Sequence, residues 1–190
     1  MMDRAYLVLK NQIFNKDSIK LVPIRDMDQV DIMKWRNEQI YHLRQNKRLT
    51  ELDQKNYFSN VVANLFNQDE PQQILFSYLD GEKCVGYGGL VHINWVDKNA
   101  EISFIMNTEL EPKFFLFHWS TYLKLIEEVA FQELKLYKIY TYAFDLRIKL
   151  FDVLVANEYL EEARLKDHAK FEDRFVDVII HSKFNESFKF

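Results

Sequence analysis

Few side chains in this sequence have the type and spacing that nucleophilic or metal chemistry requires. Cys84 is the sole cysteine, and a thiol nucleophile needs an activating base that nothing near it in the sequence supplies. The histidines are widely spaced and form no HExxH or similar arrangement: His42, His92, His118, His168 and His181. The sequence therefore predicts neither thiol catalysis nor a metal site.

The glycines limit where the backbone could cradle a phosphate. All four lie between positions 81 and 89, namely Gly81, Gly86, Gly88 and Gly89. Elsewhere no residue freely adopts positive φ, so a glycine-rich phosphate loop outside this segment is excluded.

Composition narrows the class of protein. The 190 residues include 25 Lys plus Arg against 29 Asp plus Glu, a formal net charge of −4, without a dense basic tract, which argues against nucleic acid as a partner. Apolar residues make up 48%, but no apolar run approaches the roughly 18 residues of a membrane span.

The lone cysteine and the amino terminus, which does not resemble a secretory signal, lead us to expect a cytoplasmic protein. Without a Pro/Gly/Ser linker or a repeat, residues 1–190 are expected to form one domain.

Apolar periodicity predicts the elements that must position any site. Residues 6–9 and 19–24 read as strands, with residues 1–18 as an extension that pairs with the first core strand. Two helices follow, one capped by Asp26 or Asp28 and one by Thr50 with Asp53. Asp80-Gly81 predicts a hairpin between strands 73–79 and 83–93, and a further strand covers 100–106. A long helix begins near Pro112, and a strand covers 138–144. Asp145 is expected to cap a helix that ends near Asn157, although 150–155 alone would also pass for a buried strand. A final hairpin joins 159–166 to 174–184. The order ββααβββαβαββ indicates an α+β or mixed α/β fold.

This order and several local strings resemble the GNAT-type acyl-CoA N-acetyltransferases, in particular a bacterial branch that acts on protein amino termini and amino-sugar nucleotides. The resemblance covers about 19–184. The strings that carry it are Ile24-Arg25 with Asp28, Trp35-Arg36-Asn37, residues 80–86, residues 100–104, residues 128–134, residues 162–166 and residues 175–177. It implies a mostly antiparallel sheet that splays into a V, with helices on both faces.

The resemblance also implies a site for acetyl-CoA. The strand at 100–106 would part from its neighbour and bind pantetheine through the backbone of Phe104, Ile105 and Met106. The pyrophosphate would lie at the start of the long helix, where relatives carry glycines and this chain does not. The residues there are Lys113, Phe114, Phe115, Leu116, Phe117 and His118. Their bulk should hinder close backbone approach, although Lys113 could offset phosphate charge. Arg147 takes the position of a cofactor-contacting Asn, and Leu154 that of the tyrosine that protonates the thiolate in relatives.

Candidate catalytic and acceptor-binding residues follow from the same resemblance. Glu101 would be the general base for an attacking amine, and Tyr142 could replace the missing tyrosine acid. Their alternatives are a surface carboxylate and a core tyrosine. The acceptor, an amino-sugar nucleotide or a protein or peptide amine, would dock on Trp35, Arg36, Asn37 and Tyr57. Two hypotheses remain: an acetyl-CoA-dependent N-acetyltransferase that works by direct attack, or a non-catalytic binding or scaffolding protein with the same fold. The aromatic cluster at 114–119 fits either core or a subunit contact, so a homodimer stays open.

Overall fold

The computed structural model describes residues 4–189, which include four α-helices of seven residues or more and one eight-stranded sheet. The strands are β1 (Phe14–Lys16), β2 (Ile19–Pro23), β3 (Ile74–Asp80), β4 (Lys83–Asn94), β5 (Asn99–Met106), β6 (Lys138–Phe144), β7 (Leu160–Phe171) and β8 (Arg174–Phe184). The helices are α1 (Gln29–Glu38), α2 (Glu51–Tyr57), α3 (Glu111–Glu127) and α4 (Ile148–Ala156). The order matches the ββααβββαβαββ pattern predicted from the sequence. The mixed α/β class is confirmed.

The sheet has the order β1-β2-β3-β4-β5-β6-β8-β7, and all neighbours are antiparallel except β5 and β6. The Asp80-Gly81 turn joins β3 to β4 as predicted, and Gly81 adopts φ +59° there. Gly88 allows close packing, since a Cβ would lie 2.2 Å from the carbonyl oxygen of Ser103 and 2.6 Å from the hydroxyl of Tyr122. Packing therefore requires glycine at positions 86, 88 and 89, whereas Gly81 serves the turn.

The predicted side-chain cap of α1 is wrong: Asp28 stands at the N-cap position but makes no capping hydrogen bond, because its carboxylate accepts from Arg25, and Asp26 lies in the preceding 3-10 turn. The predicted cap of α2 is confirmed. The Thr50 hydroxyl accepts from the Asp53 N–H while the Asp53 carboxylate accepts from the Thr50 N–H, a complete capping box for α2. Both α2 and α3 continue into π-helical turns, Phe58–Val62 and Glu128–Glu133. The prediction that Asp145 caps α4 is wrong, because the cap residue is Arg147. The alternative of a buried strand at 150–155 is also wrong, since these residues are helical.

The prediction of a strand at residues 6–9 is wrong. This segment is irregular, with a turn at residues 7 and 8, and the strand that pairs with β2 is Phe14–Lys16. Tyr6 is buried by a different route: its hydroxyl accepts from the N–H of Leu75 at 2.9 Å and donates to the carbonyl of the same residue at 2.8 Å. The apolar residues therefore pack against the sheet without joining it. Residues 1–3 of the predicted extension lie outside the described residues.

The sheet opens between β5 and β6. Their parallel pairing consists of three register pairs, the last of which is Glu101 with Tyr140, although both strands run on for several residues. Next to this point β4 has a bulge between Val91 and Asn94, where His92 takes φ +50°. The V-shaped opening is the feature that positions the candidate site.

Candidate functional site

A cavity of about 610 Å³ occupies the opening between β5 and β6. Strands β4, β5 and β6, helices α1, α3 and α4, and the segment between α1 and α2 all contribute to its wall. The lining residues used below are Arg36, His42, Arg44, His92, Glu101, Phe104, Ile105, Trp119, Tyr142 and Arg147. The volume is in the range of small-molecule sites.

One edge of β5 faces this cavity with unpaired backbone groups. The N–H of Asn107 bonds the carbonyl of Val85 on β4 at 2.8 Å, so alternation along the strand turns the backbone of Phe104 toward the opposite edge. Among the described residues no strand pairs with that edge beyond Glu101. The carbonyl of Met106 has a side-chain partner, the amide of Gln39 at 2.9 Å. The indole N–H of Trp119 is buried in the cavity wall and has no acceptor among the described residues. An extended ligand with amide groups, such as a pantetheine arm, fits this edge.

Glu101 is buried beside the opening and holds two partners. Its side chain is 7% exposed and accepts a hydrogen bond from the guanidinium of Arg44 through one oxygen. The other oxygen lies 2.9 Å from Nδ1 of His92. Register pairing places Glu101 opposite Val91, one residue before the bulge, and the bulge directs His92 toward the carboxylate. The result is a carboxylate-histidine pair at the cavity wall.

His92 is a site residue that no motif in the sequence indicates. Its role depends on the bulge, and no glycine or proline marks that bulge in the sequence. The His92 side chain is 62% exposed, so one ring nitrogen meets Glu101 while the ring remains open to solvent and cavity. If Nδ1 carries the proton that is donated to Glu101, Nε2 is an acceptor. This arrangement can accept a proton from a bound amine.

Tyr142 lies across the opening on β6. The guanidinium of Arg44 stacks over its ring, with the carbon of the guanidinium 4.5 Å from the ring centre. Desolvation raises the pKa of Tyr142, so its hydroxyl keeps its proton at neutral pH. The two residues predicted to be catalytic, Glu101 and Tyr142, are therefore both in contact with Arg44 at the same cavity.

The predicted acceptor residues are divided between the cavity and the scaffold. Arg36 lines the cavity, where its guanidinium donates to the hydroxyl of Tyr87 at 2.6 Å and to the side chain of Gln45 at 3.0 Å. Trp35 is a buried core residue. Asn37 bonds both backbone groups of Leu49 and thereby fixes the segment between α1 and α2.

Tyr57 is half-buried on α2 and donates to the side chain of Gln73 at 3.3 Å. The described cavity wall includes Gln73 but not Tyr57. Of the four predicted acceptor residues, Arg36 is the one that reaches the cavity directly.

The start of α3 does not fit the pyrophosphate of CoA. From 109 to 114 every backbone N–H is engaged within the chain: Glu109 bonds the side chain of Asn107, Leu110 and Glu111 bond loop carbonyls, and residues 113 and 114 bond the carbonyl of Leu110. Pro112 has no N–H. Glu111 adds a negative charge where the phosphates would lie, and its carboxylate accepts from Arg147 at 2.8 Å. The backbone donors and the free positive helix end that bind anions elsewhere are absent from this described segment.

The other residues predicted to hold the cofactor are spread around α3. The exposed ones are Lys113, Phe114, Leu116 and Phe117. Phe115 lies under the guanidinium of Arg147, whose carbon is 5.2 Å from the ring centre. His118 is buried, with Nδ1 3.1 Å from the hydroxyl of Tyr78 on β3. The phenylalanines therefore leave the cavity open, and Ile105 joins Phe104 in its wall.

Burial also controls the protonation of His42, which lines the cavity. Desolvation, with a smaller contribution from the charge of Arg147, lowers the pKa of His42 from 6.5 to about 3. The imidazole is therefore neutral at physiological pH and adds no charge to the cavity.

Residues 4–189 lack two features that are typical of other protein classes. No group of three or more His, Cys, Asp or Glu side chains there could hold a metal ion. Within the same residues, no helix combines the length and the apolar character that crossing a bilayer requires.

Comparison with known proteins places this architecture. Residues 19–180 match the family model described as an acetyltransferase (GNAT) domain. The spermidine N-acetyltransferase of Vibrio cholerae, solved in complex with CoA and spermine, superposes with a TM-score of 0.79 over 91% of this chain and 99% of that chain, at 18% identity. A dodecameric structure of spermidine N-acetyltransferase from Vibrio cholerae gives a TM-score of 0.73 over 90% and 95% of the two chains, also at 18% identity. The family model covers most of the sequence, and the chain belongs to the GNAT acetyltransferase family.

Proposed function

We propose that this protein is an N-acetyltransferase that moves an acetyl group from a thioester donor to a primary amine by direct attack. The observation that carries the proposal is the opening of β5 and β6 beside a buried carboxylate-histidine pair. Acetyl-CoA is the donor to expect, because a similar structure contains CoA. The amine belongs to an amino-sugar nucleotide or to a protein or peptide.

The donor side of the cavity supports binding through the arm of the thioester. The unpaired backbone of Phe104 and the indole N–H of Trp119 would hold the arm and exclude water from it. When bound, the thioester supplies the activated acyl group. The engaged amides at 109–114 give no support to a pyrophosphate contact.

The acceptor side supports proton transfer by the chain itself. An attacking amine must lose a proton, and Nε2 of His92, with Nδ1 held by Glu101, would accept it. Glu101 is then the positioning residue, a refinement of its predicted role as the base. The protonated hydroxyl of Tyr142 would supply a proton to the departing sulfur.

A binding or scaffolding protein is the second candidate, and the closed start of α3 favours it. One experiment separates the two: purified protein is incubated with radiolabelled acetyl-CoA and a panel of amines, and its melting temperature is measured with and without the donor. Acetyl transfer that is slower in the Glu101→Gln variant supports the enzyme. No transfer and no thermal shift at 100 times an ordinary Kd, where a ligand adds about 2.7 kcal/mol to stability, supports the binding protein.

A further inference from the structure

Arg36 is a half-buried cation that no carboxylate neutralises. Among residues 4–189 no Asp or Glu oxygen lies within 4.0 Å of its guanidinium, whereas Arg44 pairs with Glu101 and Arg147 pairs with Glu111. The groups that act on Arg36 electrostatically are the phenols of Tyr87 and Tyr57. Burying a charge without a counter-ion is costly, so such a residue in a cavity wall points to a charge that arrives with a ligand.

The guanidinium also has donors to spare. It has five N–H groups in a planar fork, and two of them are used by Tyr87 and Gln45. The same bonds fix the position of the side chain before a ligand binds. A fixed fork with free donors suits the planar, bidentate recognition of a phosphate or a carboxylate.

The charged side chains of the cavity wall carry a net positive charge, as Arg36 itself does. Its wall carries Arg36, Arg44 and Arg147 against Glu101, and Glu111 at the edge compensates Arg147. His42 is neutral because burial lowers its pKa to about 3. The remaining excess is one positive charge, located on Arg36. A polyamine would be repelled by this wall.

The position of Arg36 also indicates how long the acceptor must be. Its partner Tyr87 pairs in register with Ile105, four residues along β5 from Glu101. At about 3.3 Å per residue, roughly 13 Å of strand separates the two positions. This backbone separation is longer than a free amino acid.

We infer that the acceptor is an amine with an anionic group on the order of 10 Å from the reacting nitrogen, bound by Arg36, and that the cavity discriminates against polyamines. This inference rests on the proposed function, whose acceptor it specifies. The shared chemistry is a phosphate or a carboxylate.

Calorimetric titration in the absence of a donor tests the inference. The probes are UDP-glucosamine for a phosphate-bearing amine, the tripeptide Ala-Ala-Glu for a carboxylate-bearing one, and spermidine for a polycation. The variants are Arg36→Gln, Arg36→Lys and the control Arg48→Gln, which removes an exposed arginine from the same region. Thermal melting of each variant shows whether it is folded.

We expect an anionic probe to bind more tightly than spermidine, and Arg36→Gln to weaken that probe by roughly 10- to 100-fold, the range for hydrogen bonds to charged groups. Arg36→Lys should retain part of the affinity, and Arg48→Gln all of it. The probe that responds identifies the phosphate or the carboxylate as the natural group. Tighter binding of spermidine, no binding of either anionic probe, or an Arg36→Gln effect confined to acetyl-CoA would overturn the inference.

Failure here is distinct from failure of the proposed function. Acetyl transfer to spermidine without any dependence on Arg36 would leave the N-acetyltransferase standing and remove the anionic acceptor. Arg36-dependent binding of UDP-glucosamine without acetyl transfer would support the anionic ligand at Arg36 and remove the N-acetyltransferase.

Discussion

The carboxylate-histidine pair at the opening of the sheet gives a quantitative prediction. Replacing His92 with Gln removes the acceptor nitrogen, and replacing Glu101 with Gln removes the charge that orients the ring at 2.9 Å. A positioned general base contributes roughly 10²- to 10⁴-fold. We expect His92→Gln to lower kcat/KM by that amount and Glu101→Gln by roughly 10- to 100-fold, the value of a hydrogen bond to a charged group.

Stability should change little in either variant. The side chain of His92 is 62% exposed, and substitutions at such positions usually fall within about 0.5 kcal/mol. In Glu101→Gln the amide oxygen still accepts from Arg44, whose side chain is 45% exposed and can be hydrated, so the loss should be about 1 kcal/mol. A large loss of activity in a protein that melts normally would therefore reflect chemistry.

The double variant distinguishes one functional unit from two separate residues. If Glu101 acts through His92, the double variant should be no slower than His92→Gln alone, because an orienting group has nothing left to orient. Steady-state rates with acetyl-CoA and a responsive amine measure this, with Glu70→Gln, an exposed carboxylate, as the control. A kcat/KM of His92→Gln within threefold of the parent would refute the reasoning. If Glu101→Gln lowered kcat/KM strongly while His92→Gln did not, the carboxylate itself would be the base.

Four further outcomes follow from the structure. Tyr142→Phe should lower kcat roughly 10- to 100-fold with little change in KM, if its protonated hydroxyl serves the leaving sulfur; steady-state kinetics would show it. S-acetyl-pantetheine, which lacks the nucleotide, should have a kcat/KM within about tenfold of acetyl-CoA, since the amides at 109–114 are engaged; a larger gap in rate assays would contradict this. Asp28→Asn should cost about 2 kcal/mol in urea unfolding, because the buried carboxylate accepts two bonds from Arg25. The pKa of His42 is about 3 when folded and 6.5 when unfolded, so stability should fall as pH drops below 6.5, by about 2 kcal/mol at pH 5, and His42→Gln should remove that part of the pH dependence in thermal melts.

The features predicted from the sequence are those encoded over short distances. The capping box at Thr50 and the turn at Gly81 each depend on neighbouring residues, and both formed as expected. The strand prediction at residues 6–9 was wrong because a buried apolar segment has the same sequence pattern whether its backbone pairs with a strand or its side chains pack against the sheet. Tyr6 is held through its side-chain hydroxyl and not through backbone pairing.

The candidate site was harder to predict because long-range geometry assembles it. Glu101 was identified from its strand, but Arg44 is 57 positions away in sequence, and the contact from His92 needs a bulge. The family resemblance implied a V-shaped sheet. Which side chains surround it depends on the loop between α1 and α2, whose path is fixed by Asn37 through hydrogen bonds to Leu49.

The ion pair between Glu111 and Arg147 gives a physical reason why the start of α3 needs no glycine. A helix amino terminus has a partial positive charge that an anion stabilises, and the carboxylate of Glu111 occupies that place in the first turn. Arg147 neutralises the carboxylate and covers Phe115, so the charge is compensated within the chain. Residues of the protein thus perform the stabilising role of a bound phosphate, and the helix has no electrostatic need for the donor. Under the proposed function, the open edge of β5 would then select the donor by the arm of the thioester and not by its nucleotide.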